Sequence, residues 1–292
     1  MRGAARIAIL IDGGFFLKRL PHLVAAHHCD APIKIAACIR RLCRSHVKML
    51  TGHQGERWQQ HLHRIYYYDA MPFDGKAHHP VDNRSIDFAK SSVAQERLAL
   101  FELLRRERKM ALRLGKVIRD HDWTISSRLT KRALKARQAV RALDALALPL
   151  AEDAQDTTTL SLTTEEVRRL IELRDFWTRD VSPGTVSLGL RQKGVDMRIG
   201  LDISTLAFKD HVDTVVLVAG DSDFVPAAKL ARREGIEFIL DPLWQQISPD
   251  LHEHIDGLQS GLKRPVPISP AETPGSVAPA PDAALDGPQE AG

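Results

Sequence analysis

Asp213-Thr-Val-Val-Leu-Val-Ala-Gly-Asp-Ser-Asp-Phe224 decides the fold class. Val215 to Ala219 is an unbroken apolar run rich in β-branched residues, the pattern of a strand covered on both faces inside a parallel sheet. The run stops at Gly220, and Asp221 and Asp223 follow at once. A helix is predicted from about Phe224 to Glu234, with Pro226 in its first turn, and Gly235 leads into a strand from Ile236 to Leu240. Strand, acidic turn, helix and strand form the unit of a right-handed parallel crossover.

The same grammar recurs upstream. Arg6-Ile-Ala-Ile-Leu-Ile-Asp12 is a second apolar run ending in a carboxylate, and Arg64-Ile-Tyr-Tyr-Tyr-Asp69 a third, stopped by Met71-Pro72. Between them Ile35, Ile39, Leu42 and Val47 recur at near-helical spacing over Ile33 to Leu50. Ser91 to Lys109 reads as a helix, and Ala111 to Ile118 as a strand. Gln192-Lys-Gly-Val-Asp196 opens a helix to about Lys209. Alternation of this kind predicts an α/β fold: a mostly parallel, Rossmann-like sheet flanked by helices on both faces.

From His121 to about Ser182 the pattern loosens. A basic helix over Thr130 to Leu146 and another over Thr163 to Trp177, capped by Thr163 with Glu166 at capping-box spacing, suggest a helical insertion. The expected organisation is a first half over residues 4–120, the insertion over 121–182, a second half over 183–262 and a Pro/Ala/Gly-rich, disordered tail over 263–292.

No apolar stretch approaches the ~18 residues of a membrane span, and the N-terminus shows no secretory leader. Three cysteines without a CxxC pair fit a reducing cytoplasm. Cys38, Cys43 and His46 share a predicted helix, but residues five apart do not share a face, so packing is the expectation over zinc. Net charge is +4, and Arg105 to Arg141 holds thirteen basic residues against three acidic ones. That window is either a set of solvated helix faces or a track for a phosphate backbone.

In a parallel sheet, ligands sit beyond the carboxyl ends of the strands. Asp12, Asp196, Asp221 and Asp223 all fall at predicted strand ends or helix starts. Singly, each has a structural role open to it: Asp12 shaping a turn, Asp196 and Asp223 capping helices. Together they would raise one another's pKa unless a cation neutralised them, and an all-oxygen donor set favours Mg²⁺ or Mn²⁺. Asp202 lies on the apolar stripe of Val195, Ile199 and Leu206, where a carboxylate needs a partner: it either reaches the metal or braces a nearby group. Asp69 is a fifth strand-end candidate, with a turn role as an equal alternative.

Three segments together, Ile9-Leu-Ile-Asp-Gly-Gly-Phe-Phe16, Gln192-Lys-Gly-Val-Asp-Met-Arg-Ile-Gly-Leu-Asp202 and Leu217-Val-Ala-Gly-Asp-Ser-Asp-Phe-Val225, resemble the LabA-like NYN-domain proteins of the wider PIN-like nuclease group. The resemblance implies a PIN-like sheet and a Mg²⁺- or Mn²⁺-dependent ribonuclease, expected to be endonucleolytic. Asp12, Asp196, Asp221 and Asp223 would hold metal and water, with Asp202 as an additional acid. Ser222, Lys193, Arg113 and Lys116 would contact the phosphates of a single-stranded or unpaired RNA. Many members carry an asparagine shortly after the first aspartate, and Gly13-Gly14-Phe15-Phe16 stands in its place here. PIN-like relatives often pair, so a homodimer is among the expected states.

Two rival enzymes fail on spacing. A haloacid-dehalogenase phosphatase needs a second aspartate two residues after the first, where this chain has Gly14. A dinucleotide fold needs GxGxxG after its first strand. The rival from another class is a non-catalytic PIN-like module that binds RNA or a protein.

Overall fold

The computed structural model describes residues 6–144 and 162–264. The strands are β1 (Ile7–Asp12), β2 (Leu62–Met71), β3 (Lys76–His78), β4 (Ser85–Asp87), β5 (Met110–Ile125), β6 (Val186–Lys193), β7 (Thr214–Val218), β8 (Glu237–Asp241) and β9 (Gly257–Leu258). The helices are α1 (Gly13–Arg19), α2 (Pro32–Thr51), α3 (Ser92–Arg105), α4 (Ser127–Asp144), α5 (Thr164–Asp175), α6 (Val195–Phe208), α7 (Val225–Arg233) and α8 (Pro249–Glu253). Seven strands form one sheet in the order β6-β5-β2-β1-β7-β8-β9. Every pairing in it is parallel except that of β5 with β6. The expected α/β sheet is therefore present.

The sheet is covered on both faces because its central strands are apolar on both. Ile7, Ile9 and Ile11 pack with Ile39, Leu42, Val47 and Phe101 on the side of α2 and α3. Ala8 and Leu10 pack with Ile199, Ile203, Ala228 and Ala231 on the side of α6 and α7. The three tyrosines of β2 obey the same alternation: Tyr67 enters the first core, Tyr66 and Tyr68 the second, stacked at 6.3 Å. All three are buried, so none is offered at the surface.

Two elements differ from expectation. β5 runs on to Ile125, and Val186–Lys193 returns beside it as the antiparallel strand β6. The signal was the alternation of Val186, Leu188 and Leu190 with polar or small residues, the pattern of a half-exposed edge strand. The hairpin of β3 and β4 was also unread, its strands being only three residues long. The capping box of α5 forms as its spacing implied, with Thr163 and Glu166 bonded reciprocally. The proposed tail from 265 on and the segment 145–161 lie outside the described residues. No helix among those described is long and apolar enough to cross a membrane.

The turn from β1 into α1 leaves no room for a side chain at Gly13. A Cβ there would stand 2.6 Å from the Tyr68 carbonyl oxygen and 2.7 Å from the Tyr67 ring. Gly13→Ala should therefore destabilise the fold by about 1–3 kcal/mol, the usual cost of overpacking. Urea denaturation reads this directly, and a loss below ~0.5 kcal/mol would show that the turn has slack.

Candidate metal centre

Sheet order reverses at β1: the chain leaves it for β2 on one side, and later adds β7 on the other. A crevice beyond the carboxyl ends of the strands is expected at such a switch point. Asp12 ends β1, level with Tyr68 of β2. Its neighbour β7 ends at Val218, opposite Ile11, so Asp221 and Asp223 emerge beside Asp12. α6 enters the start of β7, so its own first turn, with Asp196, lies at the same edge of the sheet. Three separate stretches of chain thus deliver four carboxylates to one edge.

Each carboxylate sits at or just before a helix start, where the macrodipole favours negative charge. Asp12 is the N-cap of α1 and accepts from the backbone N–H of Phe15 at 3.1 Å. Asp221 accepts from the Asp223 N–H at 3.0 Å. Asp196 stands in the first turn of α6, whose cap position is Gly194 in left-handed conformation, φ 78°. Asp223 caps no helix: the residue preceding α7 is Phe224, which makes no side-chain cap.

The electrostatics follow from burial and like charge. Burial pushes the Asp12 carboxyl up to about 6, with Asp196 and Asp69 adding to the rise and the Phe15 N–H opposing it. Asp196 is raised as well, first by desolvation, then by Asp221 and Asp223. Among the described residues none of the four forms an ion pair with a lysine, arginine or histidine. They do not close tightly: no three of their oxygens lie within 4.8 Å of one another, whereas Asp250, Glu253 and His254 on and beside α8 do. Those three are spaced as neighbours on a helix surface, and His254 pairs with Asp250 at 3.7 Å.

Beside two of the acids, Asp12 and Asp221, lies an open cleft of about 380 Å³ lined also by Lys18, Ser222, Gln245 and Ser248. Lys116 and Lys193 face each other across β5 and β6; both are exposed and neither has an acidic partner among the described residues. Like charges directly opposite on a sheet are unfavourable, and an anion between them would relieve that.

Other predicted site residues are engaged elsewhere. Asp202 accepts from the Tyr68 hydroxyl at 2.9 Å and pairs with Arg113 at 3.0 Å. It braces α6 against β2 and β5, the second of its two sequence readings. Arg113, which also lies 5.7 Å from the Tyr66 ring centre, is correspondingly occupied. Asp69 is fully buried and is bonded by Arg97, by the Ala70 N–H at 2.7 Å and by the Tyr67 hydroxyl at 3.4 Å. In the basic window Arg105, Arg119 and Arg132 also pair with acids.

Sequence reading missed Gln192. Its amide oxygen lies 3.4 Å from the point where a Cβ on Gly14 would stand, and Asp12 Oδ1 is 3.4 Å from that same point. An amide therefore stands beside Asp12, although the motif lacks its asparagine. Asp241 was missed too. It is a buried strand-end carboxylate bonded to His46 at 2.8 Å, which also accounts for the buried histidine of α2.

Among curated proteins nothing is similar to this chain. A crystal structure of a Vibrio parahaemolyticus protein of unknown function shares 14% identity over 88% of this chain and 93% of its own, with a TM-score of 0.34. Residues 161–256, the stretch that supplies Asp196, Asp221 and Asp223, match the family model of the NYN domain.

Proposed function

We propose that the protein is a divalent-metal-dependent ribonuclease acting on single-stranded or unpaired RNA. NYN domains belong to the PIN-like nuclease group, and the match over residues 161–256 supports the coarser reading, a nuclease. The observation that carries the finer one is the gathering of Asp12, Asp196, Asp221 and Asp223 at the switch-point edge, none of them ion-paired among the described residues. The three motif segments favour the LabA-like subgroup, and the cysteine pattern a cytoplasmic setting.

The donor set fits Mg²⁺ or Mn²⁺: four carboxylates, with no thiol or imidazole lining the cleft among the described residues. Asp12, Asp196 and Asp221 would hold it, and Asp223 would orient water. Once bound, a divalent ion supplies charge neutralisation at the phosphate and lowers the pKa of attacking water. The remaining work falls to the chain. Ser222 lies in the cleft beside Asp221 and is placed to donate to a phosphate oxygen, and the opposed Lys116 and Lys193 balance backbone charge. Arg128, Lys131, Lys135 and Arg137 of α4 are exposed, without acidic partners among the described residues, and extend the positive surface. We leave Asp202 and Arg113 out of the active set, since each neutralises the other.

The test is cleavage of end-labelled single-stranded RNA with Mn²⁺ by the wild type, Asp12→Asn and Asp221→Asn. Cleavage by the wild type alone is expected. Equal cutting by all three would assign the activity to a contaminant, and binding without cutting in all three would make the chain a non-catalytic RNA-binding module.

A further inference from the structure

Next to the acidic cleft, across Gln192, lies a second cavity of about 360 Å³. Its walls are apolar. Phe73 and Phe88, flanking the β3–β4 hairpin, meet edge to face at 5.5 Å, and Pro72, Val93, Val117 and Leu190 add further apolar surface. Both phenylalanines are only partly buried, so their rings border the open space.

The polar side chains of this cavity are Asp69, Arg97, Gln192 and Ser91, the last already donating to the Phe88 carbonyl and accepting from the Ala94 N–H. Arg97 bonds Asp69 and nothing else among the described residues. Its side chain is 24% exposed, which leaves further guanidinium N–H groups open to a ligand. Gln192 joins the two cavities: its Nε2 approaches Asp69 Oδ1 at 3.5 Å, while its amide borders Gly14 and, through it, Asp12. Lys116 lies on the wall of the adjoining hollow, which shares Phe73 and Val117.

We propose that this cavity is a nucleobase subsite, holding the base adjacent to the phosphodiester at the acids; the inference rests on the nuclease reading above. A nucleobase is a flat apolar body with a polar edge, and stacks on aromatic rings irrespective of identity. The cavity offers the complementary set: two phenyl rings, an aliphatic wall, and a guanidinium and an amide at one side. A purely apolar ligand would leave Arg97 and Gln192 unanswered. An anionic ligand would be drawn to Arg97 and Lys116, but not to the phenyl walls.

The experiment is a double-mutant cycle on the full chain. Single-stranded RNA with one abasic residue, moved stepwise past the cleavage site, is compared with the parent strand in Mn²⁺. The wild type should cut the parent about tenfold faster than the strand lacking the base at one flanking position, the scale of one base–aromatic stack. Phe88→Leu, which keeps an apolar side chain but loses the ring, should cut that ratio to within about threefold, and the two changes should not multiply. Val93→Trp gives a second handle: Val93 is 69% exposed at the rim, so a bulky residue there obstructs the cavity without touching the core. Parent and abasic strands cut alike at every position, or variants that leave the ratio intact, would overturn the subsite while the nuclease stands. Should the wild type cut nothing, fluorescence anisotropy with Ca²⁺ decides. Weaker binding of one abasic strand, abolished by Val93→Trp, would keep the subsite and remove the nuclease; equal binding of all strands, or none, would remove the subsite.

Discussion

Asp12→Asn is expected to reduce cleavage by about 10²–10³-fold while making the metal-free protein more stable. The loss follows from removing a charged donor from a set whose work is electrostatic, where one such group is worth several kcal/mol. The gain follows from the same geometry. Burial and like charge raise the Asp12 carboxyl to about 6 from 3.8, so holding it ionised at pH 7 costs the fold up to about 3 kcal/mol. Asparagine removes the charge, and its side-chain oxygen still accepts from the Phe15 N–H, as good N-caps do. Activity and stability should thus move in opposite directions in one variant, which a merely structural aspartate would not do.

Between about pH 4 and 6 the folded protein keeps a proton on Asp12 that the unfolded chain has lost. Stability of the metal-free wild type therefore falls as pH rises through that window. The advantage of Asp12→Asn should be present at pH 7 and vanish below about pH 4. Metal binding runs the other way: ions compete with protons for carboxylates, so the rise in melting temperature produced by Mn²⁺ should fade as pH drops through about 6. Asp196, raised by burial and by Asp221 and Asp223, reinforces the same trend. Thermal melts of both proteins at pH 3.5, 5.5 and 7.5, with and without Mn²⁺, check all of this. A metal shift that is independent of pH would remove Asp12 from the site.

Asp12, Asp69 and Asp241 show what was legible in the sequence and what was not. Asp12 and Asp241 close apolar strands, and Asp69, expected at a strand end, lies two residues inside β2, which runs on to Met71; hydrophobic pattern alone does not distinguish the three. The run of apolar residues sets the strands, and the alternation of strands with helices sets the parallel sheet, because both depend on local periodicity. The difference between a metal ligand and a structural acid lies in partners far away in sequence. Arg97 of α3 neutralises Asp69, His46 of α2 occupies Asp241, and Asp12, which accepts from the Phe15 N–H and lies near other acids, forms no ion pair among the described residues. Asp202 repeats the lesson. Its place on an apolar stripe announced that it needed a partner, but Tyr68 and Arg113 lie 134 and 89 residues away. β6 was missed because an edge strand alternates weakly, and Gln192 because an amide carries no motif of its own.

Asp241→Ala is the stability counterpart of the first prediction, with an expected loss of about 3–5 kcal/mol. The side chain is fully buried and accepts four hydrogen bonds: from His46 Nε2 at 2.8 Å, the Leu243 N–H at 2.8 Å, the Ser260 hydroxyl at 2.7 Å and the Gly261 N–H at 2.9 Å. It thereby ties α2, the end of β8 and the segment after β9 into one knot. Alanine would leave these buried donors without an acceptor, and each orphaned group costs about 1–3 kcal/mol. The knot also bears on the acidic cleft. Leu243 and Trp244 follow with φ of 49° and 63°, a left-handed pair that non-glycine residues hold only under constraint. The Leu243 N–H bonded to Asp241 supplies one constraint, and Arg19 bonding the Leu243 carbonyl at 3.0 Å supplies another. Gln245 and Ser248, next along this segment, line the cleft beside Asp12 and Asp221. Asp241→Asn should fall between wild type and alanine, because its amide nitrogen cannot accept the bonds that Oδ2 receives from His46 and Gly261. Urea denaturation would rank the three proteins, and an alanine variant within ~1 kcal/mol of wild type would show that the knot is not what holds the segment in place.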